Sequence, residues 1–175
     1  MADDTDTDDI GTPIEERIGR VLRERGETLA TAESCTGGLI GSLITDVPGA
    51  SDYYDRTFVT YSYEAKMDSL GVSREALDDH GAVSEPVARE MASGIRDRAR
   101  TDWGVATTGI AGPDGGTDAK PVGTVFIGVA HRGEWGAGDT WTAVERYELS
   151  GTRTEIKGKI ARQALYDLLE AVENA

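Results

Sequence analysis

The sequence predicts an α/β fold: a three-layer α/β/α sandwich with a mixed, mainly parallel sheet of about five strands. Three observations lead there. Short β-branched runs alternate with helical-period stretches over the first two-thirds of the 175 residues, and parallel strands need such crossovers. A hairpin pattern with a glycine-rich connection follows. A strongly striped helix then closes the sequence.

The elements follow in order. Residues 1–11 hold five aspartates and little that could be buried, so they read as a disordered, solubilising tail ahead of one domain over residues 12–175. Thr12-Pro13-Ile14-Glu15 announces a helix in which Thr12 can cap, Pro13 suits the first turn and Glu15 can complete a capping box. Ile14, Ile18, Val21 and Leu22 stripe it to about Arg25, and Gly26 stops it. Thr28 to Ala32 reads as a short buried strand, residues 33–38 as a turn, and Leu39 to Thr45 as a helix. Arg56 to Tyr61 is a second strand. Ser62 can cap a helix through Leu70 closed by Gly71, Ser73 begins another, and Ser84 caps a third striped by Val87, Met91 and Ile95. Trp103 to Thr108 is a third strand, and residues 109–121 form a glycine-rich loop. Gly123 to Ala130 and Thr140 to Leu149 make the hairpin, and the last helix begins near Thr152.

Composition narrows the partners. With 32 acidic residues against 18 basic ones the net charge is −14, which opposes non-specific binding to nucleic acid or anionic membranes. Only 4 of the basic residues are lysine, against 14 arginines; few lysines on an acidic surface fit either a halophilic protein or an ordinary acidic cytoplasmic one. The single cysteine, Cys35, leaves no internal disulfide. No signal-peptide pattern and no long apolar run is present, so a soluble, cytoplasmic protein is expected.

Ligands of α/β folds bind beyond the carboxyl ends of parallel strands, which singles out the segments after Ala32, Thr60 and Thr107. Ser34 lies on the first, followed by Thr36-Gly37-Gly38. A serine on such a turn has backbone N–H donors and a helix end beside it, as a nucleophile requires, yet Ser34 or Thr36 could equally serve only as a helix cap. His80 and His131 are the two histidines, and neither lies on a favoured segment. Lys66, close after the second strand with Tyr61 at that strand's end, is the other candidate base. A lysine works as a base only if burial lowers its pKa; otherwise it is a solvated helix residue. Residues 109–116 contain four glycines, too many for a plain connector, but neither a Walker nor a dinucleotide motif. No metal-ligand spacing is visible.

Taken together, four strings carry a resemblance. They are Thr31-Ala32-Glu33-Ser34-Cys35-Thr36-Gly37-Gly38, Thr60-Tyr61-Ser62-Tyr63-Glu64-Ala65-Lys66, His80-Gly81-Ala82-Val83-Ser84, and Thr108-Gly109-Ile110-Ala111-Gly112-Pro113 with Lys120-Pro121-Val122-Gly123-Thr124. In this order they resemble the C-terminal domain of the competence/damage-inducible protein CinA, the nicotinamide-nucleotide amidase family, over about residues 12–173. The resemblance implies hydrolysis of the carboxamide of nicotinamide mononucleotide to nicotinic acid mononucleotide and ammonia, without metal or cofactor. It places a serine nucleophile at Ser34, with Lys66 and Tyr61 assisting. Substrate contacts are expected at Thr36, Gly37, Gly38, Thr108, Gly109 and Arg153, the last two elements supplying the glycine loop and a cation for phosphate. Tyr63 stands where many relatives have a smaller asparagine, so its direction bears on substrate fit. The family's additional N-terminal domain, which resembles molybdopterin-binding proteins, is not expected here. A homo-oligomer is expected, since small enzymes commonly pair symmetrically.

Overall fold

The computed structural model describes residues 11–134 and 136–175. The acidic tail lies outside them except for Gly11. The chain forms helix α1 (Ile14–Arg25), strand β1 (Leu29–Glu33), helix α2 (Leu39–Thr45), a 3₁₀ turn (Ala50–Asp52) and strand β2 (Tyr54–Val59). Helices α3 (Tyr63–Leu70), α4 (Arg74–His80) and α5 (Glu85–Ala99) follow, then strands β3 (Trp103–Gly109), β4 (Thr124–His131) and β5 (Trp141–Glu148), and finally helix α6 (Arg153–Glu173).

The five strands lie in the order β2-β1-β3-β4-β5. β1 pairs in parallel with β2 and β3, whereas β4 runs antiparallel to both β3 and β5. Four strands therefore share one direction and β4 alone opposes it, so the sheet is mixed and mainly parallel. Alternation along each strand sends side chains to two separate cores. Leu29, Val105, Val125 and Ile127 pack with Ile18 of α1, Ile40 of α2 and Ile160 and Leu165 of α6. Ala30, Ala32, Ala106 and Ala130 pack with Leu70 of α3, Leu77 of α4 and Met91 and Ile95 of α5. The second face is built from small residues, so α5 approaches the sheet closely. A Cβ at Gly104 would lie 2.4 Å from the Ala92 carbonyl oxygen, and one at Gly128 would lie 2.7 Å from that of Ala88.

Local signals explain most boundaries. Ser62 and Ser73 accept the Ala65 and Ala76 N–H groups at the starts of α3 and α4, and Thr152 and Glu155 form a reciprocal capping box on α6. Gly26 and Gly71 end their helices in the left-handed region. Three expectations are corrected. The N-cap of α1 is Pro13 rather than Thr12; its backbone is extended and its carbonyl receives the Glu16 and Arg17 N–H groups. Ser84 stands at the N-cap of α5, but its hydroxyl donates to the Gly81 carbonyl instead of receiving a helix N–H. β2 begins and ends two residues early, because after Val59 the chain keeps one more ladder bond, from Thr60 N–H to the Glu33 carbonyl, and then turns into α3.

Candidate active site

β1 carries the sequence to a sharp turn at the edge of both cores. Period-two alternation puts Glu33 on the face covered by α2 and sends Ser34, the next residue, to the opposite face, toward α3. There Lys66 projects from the buried side of α3, four residues before Leu70. The two meet: Lys66 Nζ lies 3.1 Å from Ser34 Oγ and 2.7 Å from the Thr60 carbonyl oxygen. Lys66 is fully buried. Burial lowers its pKa from 10.5 to about 8, against a smaller opposing influence of Cys35. That opposition needs a thiolate, and burial itself pushes the Cys35 thiol up to about 12. Near neutral pH, Cys35 is therefore a buried thiol, and Lys66 is an amine to the extent of roughly a tenth at pH 7 even within a chain of charge −14.

Ser34, Tyr61, Lys66, Thr108, Gly109 and Arg153 all line one cavity of about 190 Å³, walled also by Ala82 and Ala111. Six of the nine residues expected in the site thus converge on one space. Tyr61 stands at its rim, 67% exposed, and its hydroxyl makes no hydrogen bond among the described residues. Thr108 Oγ1 donates to the Ala82 carbonyl at 2.7 Å, and Lys120 Nζ donates to that of His80 at 3.0 Å. The glycine-rich loop and the end of β3 therefore tie down the segment that supplies the far wall. Gly109 lies so close to β4 that a Cβ there would be 2.8 Å from the Thr124 carbonyl oxygen. Arg153, the first residue of α6, donates to the Gly112 carbonyl, which holds its guanidinium at the cavity.

The remaining three expected residues do not line this cavity. Thr36, Gly37 and Gly38 border a neighbouring depression of about 380 Å³ with Thr154 and Lys157 of α6. Thr36 Oγ1 is hydrogen-bonded to Thr107 Oγ1 at 2.9 Å. The Gly38 N–H is engaged within the protein. The Glu33 carboxylate accepts the N–H groups of Gly38 at 2.9 Å, Ile40 at 3.1 Å and Gly41 at 2.9 Å, so three of the N–H groups at the start of α2 are already taken. Sequence reasoning passed over Glu33; an acidic residue just ahead of a helix start was the available signal. The Thr60 carbonyl left no signal, since any residue type could supply it. Tyr63 does not line the cavity.

His131 stands apart. His131 stacks on Trp103 with ring centroids 4.3 Å apart, at the opposite end of β3 from Gly109 and hence roughly 20 Å away at ~3.3 Å per strand residue. Among the described residues no group of three or more His, Cys, Asp or Glu side chains could hold a metal ion, and no helix is long and apolar enough to cross a membrane.

Comparison with known proteins bears directly on this arrangement. The family model for the CinA C-terminal domain matches residues 11–172. The chain belongs to the CinA C-terminal domain family. Within it, the chain is 48% identical to a protein of Shigella flexneri named nicotinamide-nucleotide amidohydrolase PncC, covering 93% of this chain and 94% of that one. It is 47% identical to a CinA-like protein of Chlorobium limicola over 88% of this chain. It spans only about a third of that relative and of others like it, 35% in this case. Solved structures agree: the competence/damage inducible protein CihA of Agrobacterium tumefaciens superposes with a TM-score of 0.84 at 40% identity, over 91% of this chain and 93% of that one. A CinA superfamily protein from Klebsiella pneumoniae gives a TM-score of 0.85 at 35% identity, over 93% and 97%. The α/β sandwich is thus that of the CinA superfamily.

Proposed function

We propose that the chain hydrolyses the carboxamide of nicotinamide mononucleotide to nicotinic acid mononucleotide and ammonia, through an ester on Ser34. One observation carries the reading: a fully buried lysine amine, with its pKa lowered to about 8, lies 3.1 Å from a serine hydroxyl at the wall of a small cavity. The activity in the name of the Shigella relative supports the choice of reaction.

The groups present perform each step. Neutral Lys66 donates one N–H to the Thr60 carbonyl, which aims its lone pair at the Ser34 hydroxyl, so the bond between them reverses direction in the reactive state. Ser34 Oγ attacks the amide carbon as Lys66 takes its proton. Collapse of the tetrahedral adduct breaks the C–N bond, and Lys66 returns that proton to the departing nitrogen, releasing ammonia. Water then attacks the ester, Lys66 again accepts a proton, and the acid leaves as Ser34 recovers its hydrogen. Tyr61, at the rim, closes over the bound ring and assists proton movement. The substrate's phosphate is a local problem for so acidic a chain. Arg153 and Lys157, four residues apart at the start of α6, supply cations there.

Ammonia release from nicotinamide mononucleotide by the purified chain tests the reading. The wild type is expected to turn over, and Ser34→Ala to fall to background while melting at the same temperature. A Ser34→Ala protein of full activity would remove Ser34 as the nucleophile, and a folded wild type that binds the nucleotide without cleaving it would leave only a binding module of this fold.

A further inference from the structure

The strand that delivers Ser34 ends on a carboxylate that no step above uses. Glu33 is fully buried, and a buried carboxylate is costly unless all its oxygens are satisfied. Here they are. Oε2 accepts the N–H groups of Gly38 and Ile40, and Oε1 accepts the Gly41 N–H together with the Thr57 hydroxyl at 3.3 Å. Three partners are N–H groups at the start of a helix of only seven residues, those of its N-cap Gly38 and of Ile40 and Gly41, and the fourth comes from the edge strand β2. The side chain therefore bolts the start of α2 onto the sheet.

What this closes is the turn that carries the nucleophile. Residues 34–37 are suspended between the backbone of Glu33, paired in the sheet with Val59 and Thr107, and Gly38, fixed on the carboxylate of the same residue. Ser34 N–H is held by the Thr107 carbonyl at 3.1 Å, and Gly37 and Gly38 take the left-handed conformations that so tight a return requires. We infer that Glu33 is a positioning residue for catalysis. By clamping the first turn of α2 it holds Ser34 Oγ in line with Lys66. It also takes three of the N–H groups at the positive end of α2, leaving that of Leu39 and those ahead of Gly38 for an anionic group. The inference rests on the serine-hydrolase reading of Ser34.

Glu33→Gln tests it, because an amide of the same shape puts an NH₂ where only acceptors are met by donors. Two rates are measured beside the melting curve: turnover of nicotinamide mononucleotide, and covalent labelling of Ser34 by a fluorophosphonate, which needs the activated hydroxyl but no nucleotide contact. For a folded Glu33→Gln both kcat and labelling are expected to fall roughly 10- to 100-fold, the cost of a displaced reacting group. KM is expected to stay within about twofold, since Arg153 and the cavity walls are untouched. Glu33→Asp, which keeps the charge, restores part of both rates. Labelling of a folded Glu33→Gln within about twofold of wild type overturns the inference, as does a loss matching only the unfolded fraction. If Glu33→Gln does not fold, Thr57→Val removes one donor alone; a slower labelling rate supports the clamp and an unchanged one overturns it. A wild type that is labelled yet inactive on the nucleotide defeats the amidase reading only. A wild type that is not labelled removes the nucleophile and the inference with it.

Discussion

In the proposed mechanism burial makes Lys66 a base, and the two consequences of that burial have opposite signs. Its catalytic form is the amine, so kcat/KM for amide hydrolysis is expected to rise with pH and level off above a midpoint near 8; a flat profile between pH 6.5 and 9 would exclude Lys66 as the base. Its effect on folding follows from the same lowered value. Between about 8 and the ordinary 10.5 the unfolded chain binds the extra proton, so stability rises with pH across that window and the full cost is felt below it. Lys66→Met is therefore expected to be inactive yet firmer. A shift of this size is worth up to ~3 kcal/mol, from which the lost bonds to Ser34 and Thr60 subtract, leaving a gain of about 1–2 kcal/mol or ~3–6 °C in Tm at pH 7. A lower Tm would mean that those hydrogen bonds outweigh desolvation.

At the scale of elements, α5 rests on a face of alanine and glycine, and the contact has no slack. Gly104→Ala sets a methyl 2.4 Å from the Ala92 carbonyl oxygen and 2.9 Å from the Arg96 backbone nitrogen. It is expected to cost about 2–4 kcal/mol in urea unfolding with an unchanged m-value. Thr152→Ala, which opens the capping box of α6, costs about 1 kcal/mol. These elements also show what the sequence makes legible. Helices announced themselves through Ser62, Ser73 and Thr152 ahead of striped runs, because caps and stripes are local chemistry. Edge strand β2 was misplaced by two residues, since its bounds depend on pairing with β1 rather than on its own composition. The pairing of Ser34 with Lys66 was legible only through resemblance: 32 residues separate them, and burial decides the lysine's state. The reach of the Glu33 carboxylate to the α2 donors was not legible, because a local reading cannot show which acceptor reaches them first.

For the molecule as a whole, a net charge of −14 on 175 residues is self-repulsion that the fold must contain. Raising salt from about 0.1 M to 1 M shortens the Debye length from ~10 Å to ~3 Å. Tm is expected to climb by about 4–8 °C over that range, corresponding to roughly 2 kcal/mol, and a flat response would show that the acidic groups are already spaced beyond each other's reach. The same screening weakens any attraction of the substrate phosphate to Arg153, so KM is expected to rise over the range in which stability improves. Finally, the strand direction places the aromatic cluster of Trp103, His131 and Trp141 at the pole remote from Ser34. Light emitted by those two indoles reports on that pole, and Trp135→Phe, which removes the third tryptophan, leaves the signal theirs alone. One fluorescence trace can follow unfolding while ammonia release is read independently in the same cuvette.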